Sequence, residues 1–195
     1  MRKALVNRKT LETDISLNFN IDGKGVYEVD SGIPFLDHML SLFAKHGIFD
    51  LKLKAVGDLH IDSHHTMEDI GLAFGEAIQK AVGDKKGIKR YGFFILPMDD
   101  VRVTVSLDLS GRPYLLYDVT PPASHINGVD ARLFHEFFQA LVSKSGMNLH
   151  IVQHCGEEIH HLFEAIFKAF AKSLDMALTV DERIADTVPS TKGIL

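Results

Sequence analysis

His64-His65-Thr66-Met67-Glu68 and, 96 residues downstream, His160-His161-Leu162-Phe163-Glu164 carry the same polar pattern in a chain of 195 residues. On a helix turning about 100° per residue, the first His and the Glu of each copy stand at i and i+4 on one face. The second His points about 100° away. Each copy therefore offers two neighbouring ligand directions, in the residue types that borderline divalent cations accept. One isolated HHxxE is equally well a capped helix with surface histidines. Two copies at matched places divide the chain into two similar units and make a repeated cation-binding pattern the better reading.

The flanking segments support this division. Stretches 2–9, 12–21 and 26–29 read as strands, the second from Ile15, Leu17, Phe19 and Ile21 alternating with polar neighbours, and Asp22-Gly23-Lys24-Gly25 reads as a turn between antiparallel strands. Pro34 opens a helix that Gly47 closes; a strand follows at 48–56 and a second helix at about 63–83, capped by Asp62 or Ser63. After Lys85-Lys86-Gly87-Ile88-Lys89-Arg90 the order repeats, with strands at 92–98, 101–109 and 113–119, a helix at about 129–145, a strand at 147–153 and a helix at 157–178. The fold class is α+β: duplicated βββαβα half-domains, 1–84 and 85–180, with sheets packed on a central helical layer and a polar tail, 181–195.

Composition bounds the function. A hydrophobic content of 46% with 24% charged residues is ordinary for a globular chain, and the net charge of −5 gives no footprint for nucleic acid. No apolar run is long enough to cross a membrane, and Met1-Arg2-Lys3-Ala4-Leu5 has no signal-peptide apolar core. The single cysteine, Cys155, excludes an internal disulfide framework and agrees with a reducing, cytoplasmic compartment. Eleven histidines are many for this length, and cation binding accounts for the excess.

The first helix of each unit adds donors at matching places, His38 and Glu136, so the candidate metal ligands are His38, His64, His65, Glu68, Glu136, His160, His161 and Glu164. Eight donors would serve two ions and leave positions open for water or substrate. Arg90, Arg112, Lys168, Ser190, Thr191 and Lys192 offer the guanidinium, ammonium and hydroxyl groups that hold phosphate, although scattered surface cations are commonly just solvated. No phosphate-binding glycine loop and no nucleophile elbow is found.

Five stretches carry a resemblance: Arg8-Lys9-Thr10-Leu11-Glu12-Thr13, Gly32-Ile33-Pro34-Phe35-Leu36-Asp37-His38-Met39-Leu40, Asp62-Ser63-His64-His65-Thr66-Met67-Glu68-Asp69, Asp108-Leu109-Ser110-Gly111-Arg112-Pro113-Tyr114 and Pro189-Ser190-Thr191-Lys192-Gly193. In order and content they resemble the imidazoleglycerol-phosphate dehydratase family of histidine biosynthesis, from near Lys3 to Leu195. The resemblance implies ribosomal S5 domain 2-like halves and a hydro-lyase that converts D-erythro-imidazole-glycerol phosphate to imidazole-acetol phosphate with two manganese ions. It further implies a metal-held imidazolate, a diazafulvene-like intermediate, and a homo-oligomer of 24 subunits with sites between neighbours. It assigns catalysis to Glu12, His46, Glu68 and Glu164. Substrate contacts fall on those residues except Glu164, and on His38, His64, His65, Arg90, Arg112, His160, Lys168, Ser190, Thr191 and Lys192. The tail thereby joins a phosphate site. One departure concerns the second unit: the family often has His directly before the Phe-Phe pair, where this chain has Glu136 with His135 one place earlier, so which of the two coordinates is open. A metal-storage protein and a nucleic-acid-binding module are the competing classes; the first predicts no need for Glu12, Arg112 or Lys192, and the acidic net charge opposes the second.

Overall fold

The computed structural model describes residues 2–195; Met1, counted in the first unit above, lies outside the described residues. Alternation decides the first sheet. Ile15, Leu17 and Phe19 of β2 (Thr13–Asn20) are buried while their neighbours face outward, and β2 pairs antiparallel with β1 (Lys3–Lys9) and with β4 (Asp50–Gly57). β3 (Tyr27–Asp30) corrects the expected meander, because it pairs in parallel with β4 and does not touch β2. A carboxylate explains the departure of the chain from a hairpin: Asp50 Oδ1, at the start of β4, accepts from the backbone N–H groups of Lys24 and Val26 at 2.8 and 3.1 Å, fastening the loop beside β4.

The second sheet has the same topology. β5 (Tyr91–Met98), β6 (Val101–Asp108), β7 (Tyr114–Asp118) and, further on, β10 (Asn148–Cys155) assemble in the order β5-β6-β10-β7, matching β1-β2-β4-β3, and β7 runs parallel to β10 as β3 does to β4. Between β7 and α3 (Leu133–Ser145) lies a small hairpin of β8 (His125–Ile126) and β9 (Val129–Asp130). The first unit has no counterpart. The helix expected from 129 therefore begins at Leu133, and 129–130 is extended.

Four helices form the middle layer. α1 (Pro34–Gly47) starts with proline, which needs no N–H partner in the first turn. Its left-handed terminating residue is Ile48, at φ 59°, and not the expected Gly47. Gly47 has a packing reason instead: a Cβ there would stand 2.2 Å from the ring of Phe49. α2 (His64–Val82) begins where Asp62 Oδ1 accepts the His64 N–H at 2.7 Å, and α4 (Ile159–Leu178) begins where the Glu158 carboxylate accepts the His161 N–H at 2.6 Å.

α2 covers β1 and β2, α4 covers β5 and β6, and the pairs α2 with α3 and α1 with α4 close the layer across the two units. Small residues let α2 and α3 come near: a Cβ on Gly71 or Gly75 would meet the Phe137 or Leu141 carbonyl oxygen at 2.5 or 2.2 Å. Phenylalanines fill the rest, with Phe43 of α1 5.3 Å from Phe170 of α4 and Phe35 of α1 edge-on to Phe134 of α3 at 5.9 Å. Each such ring contributes about 2–3 kcal/mol on full burial, so the seam between units is itself core. The tail folds back on the 85–90 link: Asp181 N–H donates to Gly87 O at 2.8 Å, and Gly87 N–H to Thr187 O at 2.9 Å.

Candidate functional site

The seam also carries the polar cluster. His38 projects from α1 of the first unit, and His160 and Glu164 from α4 of the second, one helical turn apart. His38 Nε2 lies 2.8 Å and His160 Nε2 2.9 Å from Glu164 Oε1, and the two imidazole rings are 5.5 Å apart. Phe35 packs edge-on against His160 at 5.3 Å, giving that side an apolar wall. Burial pushes the Glu164 carboxyl up, but hydrogen bonds from Lys168, His38 and His160 outweigh it and bring its pKa to about 2. An ionised oxygen with two imidazole nitrogens around it is a ready donor set.

Among the described residues, His38, His160 and Glu164 are the group of three or more His, Cys, Asp or Glu whose ligand atoms lie within 4.8 Å of one another. Ligands about 2.1 Å from a cation and at right angles stand about 3 Å apart, close to the 2.8 and 2.9 Å that separate Glu164 Oε1 from His38 Nε2 and His160 Nε2. The residues present fit a borderline divalent cation.

The matching donors His64 and Glu68 of α2 and Glu136 of α3 do not close in the same way. His64 Nε2 is 3.9 Å from Glu68 Oε2, and Glu136 Oε1 instead lies 3.1 Å from His135 Nδ1. The second histidine of each pair points elsewhere, as the helical spacing requires. His65 Nδ1 meets Asp58 at 2.9 Å and approaches Glu12 at 3.8 Å; the Asp58 hydrogen bond raises its pKa. His161 Nδ1 meets Asp100 at 3.3 Å with Asp99 3.6 Å from Nε2, again raising the imidazole pKa through the Asp100 hydrogen bond. The partner acids come from different places: Asp58 from the loop between β4 and α2, Asp99 and Asp100 from the turn between β5 and β6.

His46 sits in the last turn of α1 and lines a cavity of about 520 Å³ with Met98, Asp99, Lys168 and Lys172. Burial first, then Lys168 and Lys172, push its pKa down, favouring the neutral ring. Lys168 Nζ donates to Glu164 Oε2 at 2.6 Å, so it joins the cavity to the three-donor cluster.

The candidate phosphate groups divide. Arg90 is committed: its guanidinium donates to Asp108 at 2.7 and 3.0 Å and to the Pro189 carbonyl at 2.9 Å, and it stands 4.6 Å over the Tyr91 ring. Arg112 is two-thirds exposed, 3.9 Å from the same aspartate. Ser190 Oγ accepts the Lys192 N–H at 3.2 Å, making a compact tail loop in which Thr191 and Lys192 are exposed. Sequence reasoning gave no role to Asp58, Asp69, Asp99, Asp100 or Asp108. Asp69 and Asp108 stand inside the quoted motifs, and those positions were the available signal.

Sheets on a helical layer, with a histidine–carboxylate cluster that could hold a cation where two repeats meet, define an enzyme of the α+β class. The chain belongs to the imidazoleglycerol-phosphate dehydratase family, whose model matches residues 31–174, and is as a member a hydro-lyase of histidine biosynthesis. It is 56% identical over 195 residues to the imidazoleglycerol-phosphate dehydratase of Caldanaerobacter subterraneus subsp. tengcongensis, covering all of both chains. Solved structures agree: that of IGPD from Pyrococcus furiosus superposes with a TM-score of 0.84 at 36% identity, over 97% of this chain and 100% of that one. The enzyme of Staphylococcus aureus subsp. aureus N315 also gives 0.84, at 35% identity over 92% of this chain and 99% of that one.

Proposed function

We propose that the chain dehydrates D-erythro-imidazole-glycerol phosphate to imidazole-acetol phosphate at a site holding two manganese ions. The observation that supports metal use is the cluster of His38, His160 and Glu164, a donor set that suits a borderline divalent cation; manganese is the one the family resemblance implies. These three would hold one ion; His64, His65, Glu68, Glu136 and His161 would supply the remaining ligands. Cations held there would supply the Lewis-acid charge that favours loss of a proton from the substrate imidazole.

The chain's own residues do the rest. Glu12 takes the proton from the carbon next to the one that loses its hydroxyl, and returns a proton when the enol becomes the ketone. His46, beside Lys168, faces the departing hydroxyl. Glu68 and Glu164 orient their histidines and keep the ligand set charged. Arg112, Ser190, Thr191 and Lys192 hold the phosphate, while Arg90 fastens the tail that brings the last three into place.

Three of eight donors meet within a single chain, which supports sites completed by a neighbouring copy and the 24-subunit assembly of the resemblance. The half-domain division at 84/85 and the contribution of the 181–195 tail to phosphate binding belong to the same proposal. An exposed, free Cys155 and helices too short or too polar to span a membrane accord with a cytoplasmic enzyme.

The test is turnover. Manganese-loaded protein incubated with imidazoleglycerol phosphate should generate the absorbance of the enol and ketone product, lose that activity on chelation and regain it on adding manganese. Tight manganese binding without any turnover would instead identify a storage protein.

A further inference from the structure

Asp69 follows Glu68 on α2 and is almost completely buried, yet it is not among the groups the reaction uses. Its carboxylate faces the base of the β1–β2 turn. Arg8 Nε donates to Asp69 Oδ1 at 2.8 Å, with Nη2 of the same guanidinium 2.8 Å away in an ion pair, and the Thr13 hydroxyl donates to Oδ2. A carboxylate is withdrawn from water only where donors compensate its lost hydration, and here the Arg8 guanidinium and the Thr13 hydroxyl do. The bonds continue into the turn. The Thr10 and Thr13 hydroxyls are 3.2 Å apart, Thr10 N–H donates to Thr13 O at 2.9 Å, and Thr10 Oγ1 accepts from the backbone N–H groups of Thr13 and Glu12 at 3.0 and 3.1 Å.

His65 stands four residues before Asp69, on the same face of α2. The helix thus grips the base of the turn through Asp69 while His65 stands 3.8 Å from Glu12 in the turn itself. Glu12 is half exposed, with no hydrogen bond of its own side chain among those described, so its placement depends on the backbone beneath it.

We infer that Asp69 is a positioning residue for Glu12: through Thr13 and Thr10 it fixes the turn that holds the carboxylate of the acid/base over the histidine–carboxylate face of α2. This rests on Glu12 being the acid/base of the proposed reaction. A general base displaced by about 1 Å loses about a hundredfold in rate, so a small slackening of the turn is enough to be seen.

The test compares Thr13→Val, which removes the hydroxyl at nearly constant volume, with Thr13→Ser, which keeps it, and adds Asp69→Asn and Glu12→Gln. Each manganese-loaded variant is measured for kcat, KM, bound metal and Tm. Thr13→Val should lower kcat by about ten- to a hundredfold with KM and bound metal within twofold of the parent protein, and Thr13→Ser should recover most of the rate. Should Asp69→Asn fail to fold, the Thr13 pair still decides. Thr13→Val at full kcat, with Glu12→Gln inactive, overturns the positioning role and leaves Glu12 as the acid/base. Equal losses in Val and Ser variants, or a fall in Tm with kcat intact, overturn it too. Full turnover by Glu12→Gln removes the acid/base assignment and the inference with it.

Discussion

His38 Nε2 and Glu164 Oε1 are 126 residues apart in sequence and 2.8 Å apart in space. One comes from the first unit and the other from the second, so the duplication is also the means by which the cluster is assembled. Glu164→Gln removes the charge that offsets two imidazoles and a cation while keeping the volume. We expect bound manganese to fall by about half and turnover by about a hundredfold or more, with little change in helix content. Metal analysis by mass spectrometry and circular dichroism on the same sample check both halves of the expectation.

The Arg90–Asp108 pair is mostly buried and extends to the tail through Pro189 O. Arg90→Met leaves Asp108 without its partner and the tail without its fastening. Because the pair retains some exposure, a stability loss of about 2 kcal/mol is expected, below the range for fully buried pairs. The functional effect should be larger on KM than on kcat, since the proposed phosphate contacts of Ser190, Thr191 and Lys192 lie in that tail. Limited proteolysis should cut within 181–195 in the variant and leave the parent intact.

Acid lability should trace partly to Asp50. Backbone hydrogen bonds, that from Lys24 foremost, hold its carboxyl below the usual aspartate range. A group with a depressed folded pKa stabilises the fold above its unfolded pKa of 3.8, and that contribution is lost as pH falls through the folded value. Asp50→Asn should therefore lower Tm at pH 7, and the gap between parent and variant should close only as the pH falls below 3.8 and through the folded value. Melting curves followed from neutral pH down into the acid limb below 3.8 decide it; a constant gap throughout would count against the assignment.

Gly75 makes the close approach of α2 and α3 possible, since a Cβ there would stand 2.2 Å from Leu141 O. Gly75→Ala must push the helices apart, at about 1–3 kcal/mol for an overpacked core site. α2 carries His64 and Glu68, and α3 carries Glu136. The variant should thus lose metal affinity as well as stability, which isothermal titration with manganese at a temperature well below Tm would register.

Much of this was legible in the residues. Alternation of Ile15, Leu17 and Phe19 and the proline at 34 placed β2 and α1 because burial and backbone chemistry there are local. β3 was misassigned as an antiparallel neighbour of β2 because parallel pairing depends on a crossover helix and on Asp50 capturing the loop, neither of which has a short-range signature. The β8–β9 hairpin had one: Asn127 and Gly128 both take positive φ, 48° and 79°, as the two central residues of a tight hairpin turn do. The helix expected over 129–145 rests on the apolar periodicity from Leu133 onward, and its start runs back into the hairpin. The first-histidine cluster at the seam followed from the repeat, whereas the anchoring aspartates did not, since an isolated Asp carries no periodic signal. Arg90 illustrates the same limit: its type suggested phosphate, and nothing in the sequence announced its hydrogen bonds to Asp108 and the Pro189 carbonyl.

The most direct measurement is anomalous diffraction at the manganese absorption edge from crystals of manganese-loaded protein. The expected result is two anomalous peaks for each active site, one of them within bonding distance of His38 Nε2, His160 Nε2 and Glu164 Oε1. Manganese found only at other surface carboxylates, with these three side chains still bonded to one another and to no ion, would contradict the account.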